Sequence, residues 1–448
     1  MSTLNYKYDA PSTILKTQDA ENLFLSHFRE DHKGSSPCLF WGKLNDPFII
    51  SRCLITLSNI VKSNFSFNAA QLRMLKDPIV TAGNSQIRFE AFSMCAGVYG
   101  RVDVLPHGQD GEFIENGTTN VDFNIPLITA LNRIQKNDNL VLSVGKKEVG
   151  FHQDGKDIIE RKVPLPTKWI KGLTTVQYYF AQSEFFLKID KVPAMQLFRS
   201  LPKGKIKNDL FLMKRGNRYI FSSVKSNAGL CIGGAHRLQL LSPLIPLINK
   251  LSIYKHPLDQ TCNIILHFDQ VEFTFAISRN PFRGYSGEGA TLETLLGDVP
   301  LELIKAFDQY SYANQTFNPM NVVLEHDIDI NKVENLSAKL AAMGLLGYDM
   351  QKNTYFYRRL PFKLNRILSL NPRLKGANTL LENKKVTKLT KKGNKIEAMV
   401  EGSKGEQYYV LIESDIAKCT CPWYSKNQGE RGHCKHVLAT KKMVYFDG

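Results

Sequence analysis

The sequence predicts an α+β, multidomain chain. It has β-rich N-terminal and middle regions, a winged-helix-like segment and a small C-terminal strand–loop–helix module. Three observations predict it. At 448 residues the chain is too long for one ordinary core. Strand-type patterns dominate up to about residue 300 and helical ones follow. Three of the eight cysteines crowd together near the C-terminus, beside histidines.

Composition limits the class. Hydrophobic residues at 43% and charged ones at 22% are the balance of a globular protein, not a disordered one. The most apolar run, Leu238–Ile248, is short and holds two prolines, so it cannot span a bilayer. The first ten residues contain no apolar export signal. A cytoplasmic protein is expected. The single cysteines at 38, 53, 95, 231 and 262 read as reduced thiols rather than a disulfide framework.

The elements follow in order. Residues 1–36 read as irregular. From Cys38 to Pro166, Ile87–Phe92 and Val98–Leu105 read as half-buried strands, and Leu54–Lys62 and Leu127–Gln135 as helices. A boundary near Lys168 gives a first domain over 1–167 and a second over 168–300. The second carries strand signals at Tyr178–Ile189 and Asn263–Ser278, and a helix over Ala235–Ile248.

Residues 301–362 read as winged-helix-like. Leu301–Tyr310, Pro319–Glu325 and Ile330–Met343 are three helices; the third has apolar residues at 330, 333, 336, 340 and 343, with Asp329 as N-cap and Gly344 as C-cap. Leu345–Tyr348 and Thr354–Arg359 then pair as a hairpin. In the DNA-reading form of such a segment the third helix enters a groove and Arg358 or Arg359 lies near phosphates. Only Lys332 and Lys339 make that helix basic, so a protein-interaction module is the competing reading.

Charge is concentrated at the far end. The formal net charge is +16, and residues 361–448 hold 17 Lys/Arg against 8 Asp/Glu, a net of +9. A concentrated basic excess favours a polyanionic partner; a solvated face is the bland alternative. Lys384, Lys385, Lys388, Lys391, Lys392 and Lys395 are the candidate phosphate contacts, and Trp423 or Tyr424 the candidate stacking residues. Against these stand a solvated hairpin for the lysines and packing over the adjacent cluster for Trp423.

That cluster lies in the region 363–448, within a module over about 405–448. Cys419-Thr-Cys421 is followed after twelve residues by Cys434-Lys-His436. Two ligand pairs joined by a loop supply the four N/S donors that one structural Zn(2+) takes, and three thiolates offset its charge. Gln407–Glu413 reads as a strand before the first pair, and His436–Tyr445 as a helix carrying the second. His433 is the alternative fourth ligand; the two-residue spacing favours His436.

The pattern C-x-C-x(n)-C-x-H resembles the SWIM zinc-finger family, residue for residue at Cys419, Cys421, Cys434 and His436. The stretches 88–106, 117–124, 162–173, 283–289, YFYRRLPF and LNPRLKGA resemble bacterial SWIM zinc-finger proteins of this length. The resemblance implies zinc and DNA or protein binding. It also implies work beside a MoxR-type AAA+ ATPase and a von Willebrand factor A protein.

No catalytic motif is evident. The chain has no G-x-x-x-x-G-K-[ST] phosphate loop and no H-E-x-x-H, and Gly284-Tyr-Ser-Gly287 falls one residue short of a nucleophile elbow. Arg88, Glu90, Arg101 and Asp103, on consecutive strands, read as an exposed cross-strand salt-bridge set rather than a charged pocket. The other histidines read as isolated. The expectation is a zinc-binding, non-enzymatic protein that contacts nucleic acid through its C-terminal arm. The alternatives are a protein–protein adaptor, or an enzyme with a site in residues 38–300.

Overall fold

A computed structural model describes residues 13–17, 20–24, 38–63, 78–83, 85–120, 123, 125–145, 148–153, 156–161, 167–202, 204, 206, 208–226, 228–279, 284–286, 301–326, 329–358, 360, 372–414, 416–429 and 432–446. The chain is α+β, as expected, but the strands are shared differently along it.

An antiparallel sheet of eight strands forms the centre. In spatial order they are Glu184–Asp190, Lys250–Lys255, Thr261–His267, Val271–Ser278, Val98–Val104, Gln86–Phe92, Ile79–Gly83 and Gly117–Asn120. Strands from both sides of residue 168 therefore share one sheet, joined where Val271–Ser278 pairs with Val98–Val104. A five-stranded sheet lies beside it, built from Cys38–Leu44, Gln109–Phe113, Val141–Gly145, Glu148–Gln153 and Lys156–Arg161.

The central strands are buried along their whole length, not half-buried. Helix Pro47–Lys62 covers one face, with Asp46 accepting from the Ile49 N–H at 3.0 Å as its N-cap. Gly100 permits this close approach: an added Cβ would lie 2.7 Å from Ile60 and 2.9 Å from Leu57. Helix Thr167–Ala181 covers the other face, where Trp169 meets Phe92 and Phe180 meets Tyr99 with ring centroids 5.9 and 5.5 Å apart. With both faces packed, apolar side chains are needed on both, and alternation fades.

Several expectations need correction. Tyr178–Ile189 is not one strand: a helix runs to Ala181 and a strand begins at Glu184. Ala235–Ile248 is not an α-helix but two 3-10 turns, Ala235–Leu241 and Ile245–Leu247, because Pro243 and Pro246 cannot donate backbone hydrogen bonds. The N-terminal stretch contains the paired strands Thr13–Thr17 and Ala20–Phe24.

From residue 301 the order is helix Leu301–Asn314, strand Thr316–Phe317, helices Pro319–His326 and Ile330–Ala342, and strands Leu346–Asp349 and Thr354–Tyr357. The three strands form a small sheet with Thr354–Tyr357 in the middle. This unit docks on the central sheet: the third helix packs against Thr167–Ala181, and Gln177 Oε1 accepts from the Tyr348 N–H at 2.7 Å. No described helix is long and apolar enough to cross a membrane.

The C-terminal part is larger than a strand–loop–helix. Val386–Lys392, Lys395–Glu401, Gln407–Glu413 and Ile416–Cys419 form a four-stranded antiparallel meander. Helices Pro372–Glu382 and Lys435–Phe446 pack on each other, and the second lies across the sheet. Ala398, Val400, Val410, Ile412, Ala417 and Cys419 form the buried sheet face.

Candidate metal centre

Each ligand candidate is placed by a chain terminus of local structure. Cys419 ends the edge strand, opposite Val410. Cys421 caps the short helix Pro422–Asn427, where Pro422 pre-sets the first turn. Cys434 immediately precedes helix Lys435–Phe446, and His436 lies in its first turn.

The four side chains converge. One ligand atom from each of Cys419, Cys421, Cys434 and His436 lies within 4.8 Å of all the others, and all four residues are buried. Cys419 Sγ is 3.9 Å from His436 Nδ1. A tetrahedral site with metal–sulfur bonds of about 2.3 Å has edges of about 3.8 Å, so these side chains need move little to hold an ion. The Tyr424 and Val437 N–H groups donate to Cys421 Sγ at 3.4 Å and Cys434 Sγ at 3.5 Å, which favours sulfur bearing negative charge. Hydrogen bonds from the Cys419 and Cys434 thiols hold Cys421 well below the usual thiol range, while the bond to Cys421 pushes Cys419 well above it. Three sulfurs thus crowd one buried pocket, where a cation would stabilise their thiolate forms. This cluster can hold a metal ion.

The surroundings fix the histidine and the loop. The Tyr408 ring lies 4.7 Å from that of His436, centroid to centroid. His433 points elsewhere: its Nε2 is 2.9 Å from Lys441 Nζ, and its carbonyl accepts from Arg373 at 2.7 Å. Arg373 also covers the Trp423 ring, its guanidinium carbon 4.5 Å from the centroid. Trp423 is therefore half-buried beneath an arginine, close to the cluster.

The lysine candidates divide. Lys384, Lys388, Lys391 and Lys392 are exposed. Lys385 is paired with Glu401 at 2.9 Å and Lys395 with Glu397 at 2.7 Å. On the sheet face turned away from the helices, Tyr409, Leu411, Lys418, Thr420, Tyr424 and Gln428 line an open groove of about 670 Å³ that borders Cys419.

Arg358 overturns the expectation that it meets phosphate. It is fully buried, with Nη1 on Glu90 at 2.6 Å and Nη2 donating to the Leu173 carbonyl at 3.1 Å. Arg359 lies outside the described residues. The four charges read as an exposed salt-bridge set are in fact buried: Arg88 Nε is 3.1 Å and Arg101 Nε 2.7 Å from Asp103. Phe356 lies beneath the Arg88 guanidinium at 4.0 Å from its ring centroid. The hairpin itself follows from the sequence, but its docking over these strands does not, since no local pattern encodes it. Lys339, half of the basic character of the third helix, is also buried.

No family model matches the chain, and no curated protein matches it. Among solved structures, the chain is similar at 9% identity to the Proliferating Cellular Nuclear Antigen from Entamoeba histolytica, over 54% of this chain and 98% of that one, with a TM-score of 0.37. A PCNA2–PCNA3 complex from Sulfolobus tokodaii is similar at 10% identity over 54% of this chain and 99% of that chain, with a TM-score of 0.41.

Proposed function

We propose that this chain is a zinc-binding protein of the SWIM-finger type that contacts nucleic acid through its C-terminal module. The observation that carries this reading is the buried Cys3His cluster in a module bearing the chain's concentrated positive charge. Three soft thiolates and one imidazole in a compact, closed set suit zinc better than metals that prefer oxygen ligands or an open position. Lys384, Lys388, Lys391 and Lys392 are exposed on the same module and supply the electrostatic contact. The groove beside Cys419 adds two tyrosines for an unpaired base. Arg358 drops out of this interface.

The test is fluorescence anisotropy on single- and double-stranded DNA and RNA across a salt series, with zinc measured on the same samples. Salt-steep binding by a protein holding one zinc per chain supports the reading. A zinc-loaded protein that binds none of these nucleic acids sinks it.

A second reading has its own observation. The helix–strand–helix–helix–strand–strand order of 301–357 supports a winged-helix assignment, and its second helix exposes Met320 and Leu324 one turn apart, at 52% and 77%. The third helix is meanwhile committed to helix Thr167–Ala181. An exposed apolar pair on a docked winged helix fits a protein adaptor, with a MoxR-type AAA+ ATPase or a von Willebrand factor A protein as partner. Pull-down with these two partners, native against Leu324→Asp, decides it.

A further inference from the structure

We propose that Ser252, His267 and Glu272 form an acyl-transfer site that acts on small esters carrying a negative charge. This goes beyond the binding reading and is independent of the metal centre.

The three residues sit on three neighbouring strands of the central sheet and share one face. Ser252 Oγ is 2.9 Å from His267 Nε2, and His267 Nδ1 is 3.1 Å from Glu272 Oε1. His267 and Glu272 are directly opposed in the ladder. The order of contacts is what base-assisted nucleophilic attack requires. With Glu272 accepting from Nδ1–H, the Nε2 lone pair faces the serine hydroxyl. No sequence motif announces this, because the three side chains meet only through sheet register.

Ser252, 7% exposed, lies one strand in from the sheet edge, and His267, 5% exposed, lies two strands in. The neighbouring edge strand exposes Lys188 and Asp190. Lys188 is directly opposite Ser252, and Lys250 opposite both His267 and Asp190. Asp190 is the cross-strand neighbour of Lys250. Lys188 is left beside the nucleophile, positioned to attract an anionic acyl group and to stabilise the oxyanion.

The step balances. Ser252 Oγ bonds to the ester carbonyl carbon as its proton passes to His267 Nε2. The tetrahedral intermediate expels the alkoxide, which takes that proton, leaving an acyl-serine. Water, deprotonated by Nε2, attacks the acyl carbon; the carboxylic acid leaves and the proton returns to Oγ.

Full-length protein is treated with a fluorophosphonate, whose phosphorus accepts Oγ as fluoride departs, and the adduct is mapped by mass spectrometry. Hydrolysis of 4-nitrophenyl succinate is compared with that of the acetate. The expected results are an adduct on Ser252, no adduct or hydrolysis in Ser252→Ala, and labelling about a hundredfold slower in His267→Ala. Glu272→Gln, which keeps the shape, also slows both. Lys188→Gln should abolish the preference for succinate. Circular dichroism confirms that each variant is folded; Ser252→Ala removes one oxygen and is the safeguard if His267→Ala unfolds. Absence of label on Ser252 in the native protein, or hydrolysis unchanged in folded Ser252→Ala, overturns the site. Equal rates on the two esters overturn the anionic substrate class.

Discussion

Arg358 and Glu90, 268 positions apart in sequence, meet as a fully buried ion pair with 2.6 Å between Nη1 and Oε1. Tyr99 donates to the same Glu90 oxygen at 2.6 Å, and Arg101 reaches across to the Tyr348 carbonyl at 2.9 Å. These contacts join the hairpin Leu346–Tyr357 to the central sheet. Two charges leave water at the joint, so each depends on the other staying in place.

Removing one partner should therefore cost far more than removing both. Glu90→Met and Arg358→Met are each expected to destabilise the fold by about 3–5 kcal/mol, since an uncompensated charge stays buried. Glu90→Met with Arg358→Met should recover much of that loss. Urea denaturation of the three variants gives the coupling directly; equal and additive losses would show that the pair acts only as two separate packing elements.

The same cluster sets a pH dependence. Burial alone would raise Glu90, but Arg358, the Tyr99 hydroxyl and Arg101 together hold it below the usual carboxylate range. A depressed acid stabilises the fold above its unfolded value of about 4.3, and the contribution is lost as pH falls through the lower folded value. Burial raises Asp103 despite Arg101 and Arg88. Its contribution has the opposite sign: present at low pH, lost as pH rises through the folded value. Asp103→Asn leaves Arg88 and Arg101 without their buried carboxylate and should cost stability throughout, with the deficit shrinking from pH 4 towards neutrality, about the range of carboxylate titration. Melting curves across that range check the slope.

Gly347 tests the joint sterically. An added Cβ there would run into the Phe356 ring, which in turn supports Arg88. Gly347→Ala is expected to destabilise by about 1–3 kcal/mol, as overpacking does. Far less loss would mean that the ring moves freely. Phe356→Leu added to Gly347→Ala should relieve part of the cost.

How much of this was legible depended on distance along the chain. The Cys3His cluster could be read because its ligands need only a local spacing and a capped helix on either side of one loop. Asp329 could be read as an N-cap because its partner, the Lys332 N–H at 3.2 Å, is three residues away. Arg358 could not: its partner lies in a strand of another region, and an arginine before a buried pairing looks like one before a phosphate. Ser252, His267 and Glu272 likewise meet only after three strands find their register. The strand run at Tyr178–Ile189 misled because its aromatic half belongs to a helix buried against the sheet, where tertiary packing outweighs β-propensity.

The metal should carry the C-terminal module's stability. Cys434→Ser is expected to lower bound zinc from one per chain to near none, and chelation to expose the region 386–446 to protease while the central sheet stays protected. The ion would clamp the end of the edge strand and the loop after it to helix Lys435–Phe446. Metal analysis with limited proteolysis checks both halves. A chelated protein with an unchanged digestion pattern would reduce the cluster to a passenger.

The lysines offer the sharpest division between a nucleic-acid interface and a merely soluble face. If Lys388, Lys391 and Lys392 meet phosphates, changing each to glutamine should reduce the salt slope of log K by about 0.9 per phosphate lost on duplex DNA. Lys395→Gln should change the slope less, since its ammonium is 2.7 Å from Glu397. Arg358 is held in the core, so the sheet–hairpin joint and the interface can be perturbed separately. Affinity that falls while the slope stays fixed would place the contacts off the phosphates; neither quantity moving would leave the 386–395 hairpin as a solvated surface and shift attention to the exposed Met320 and Leu324 pair.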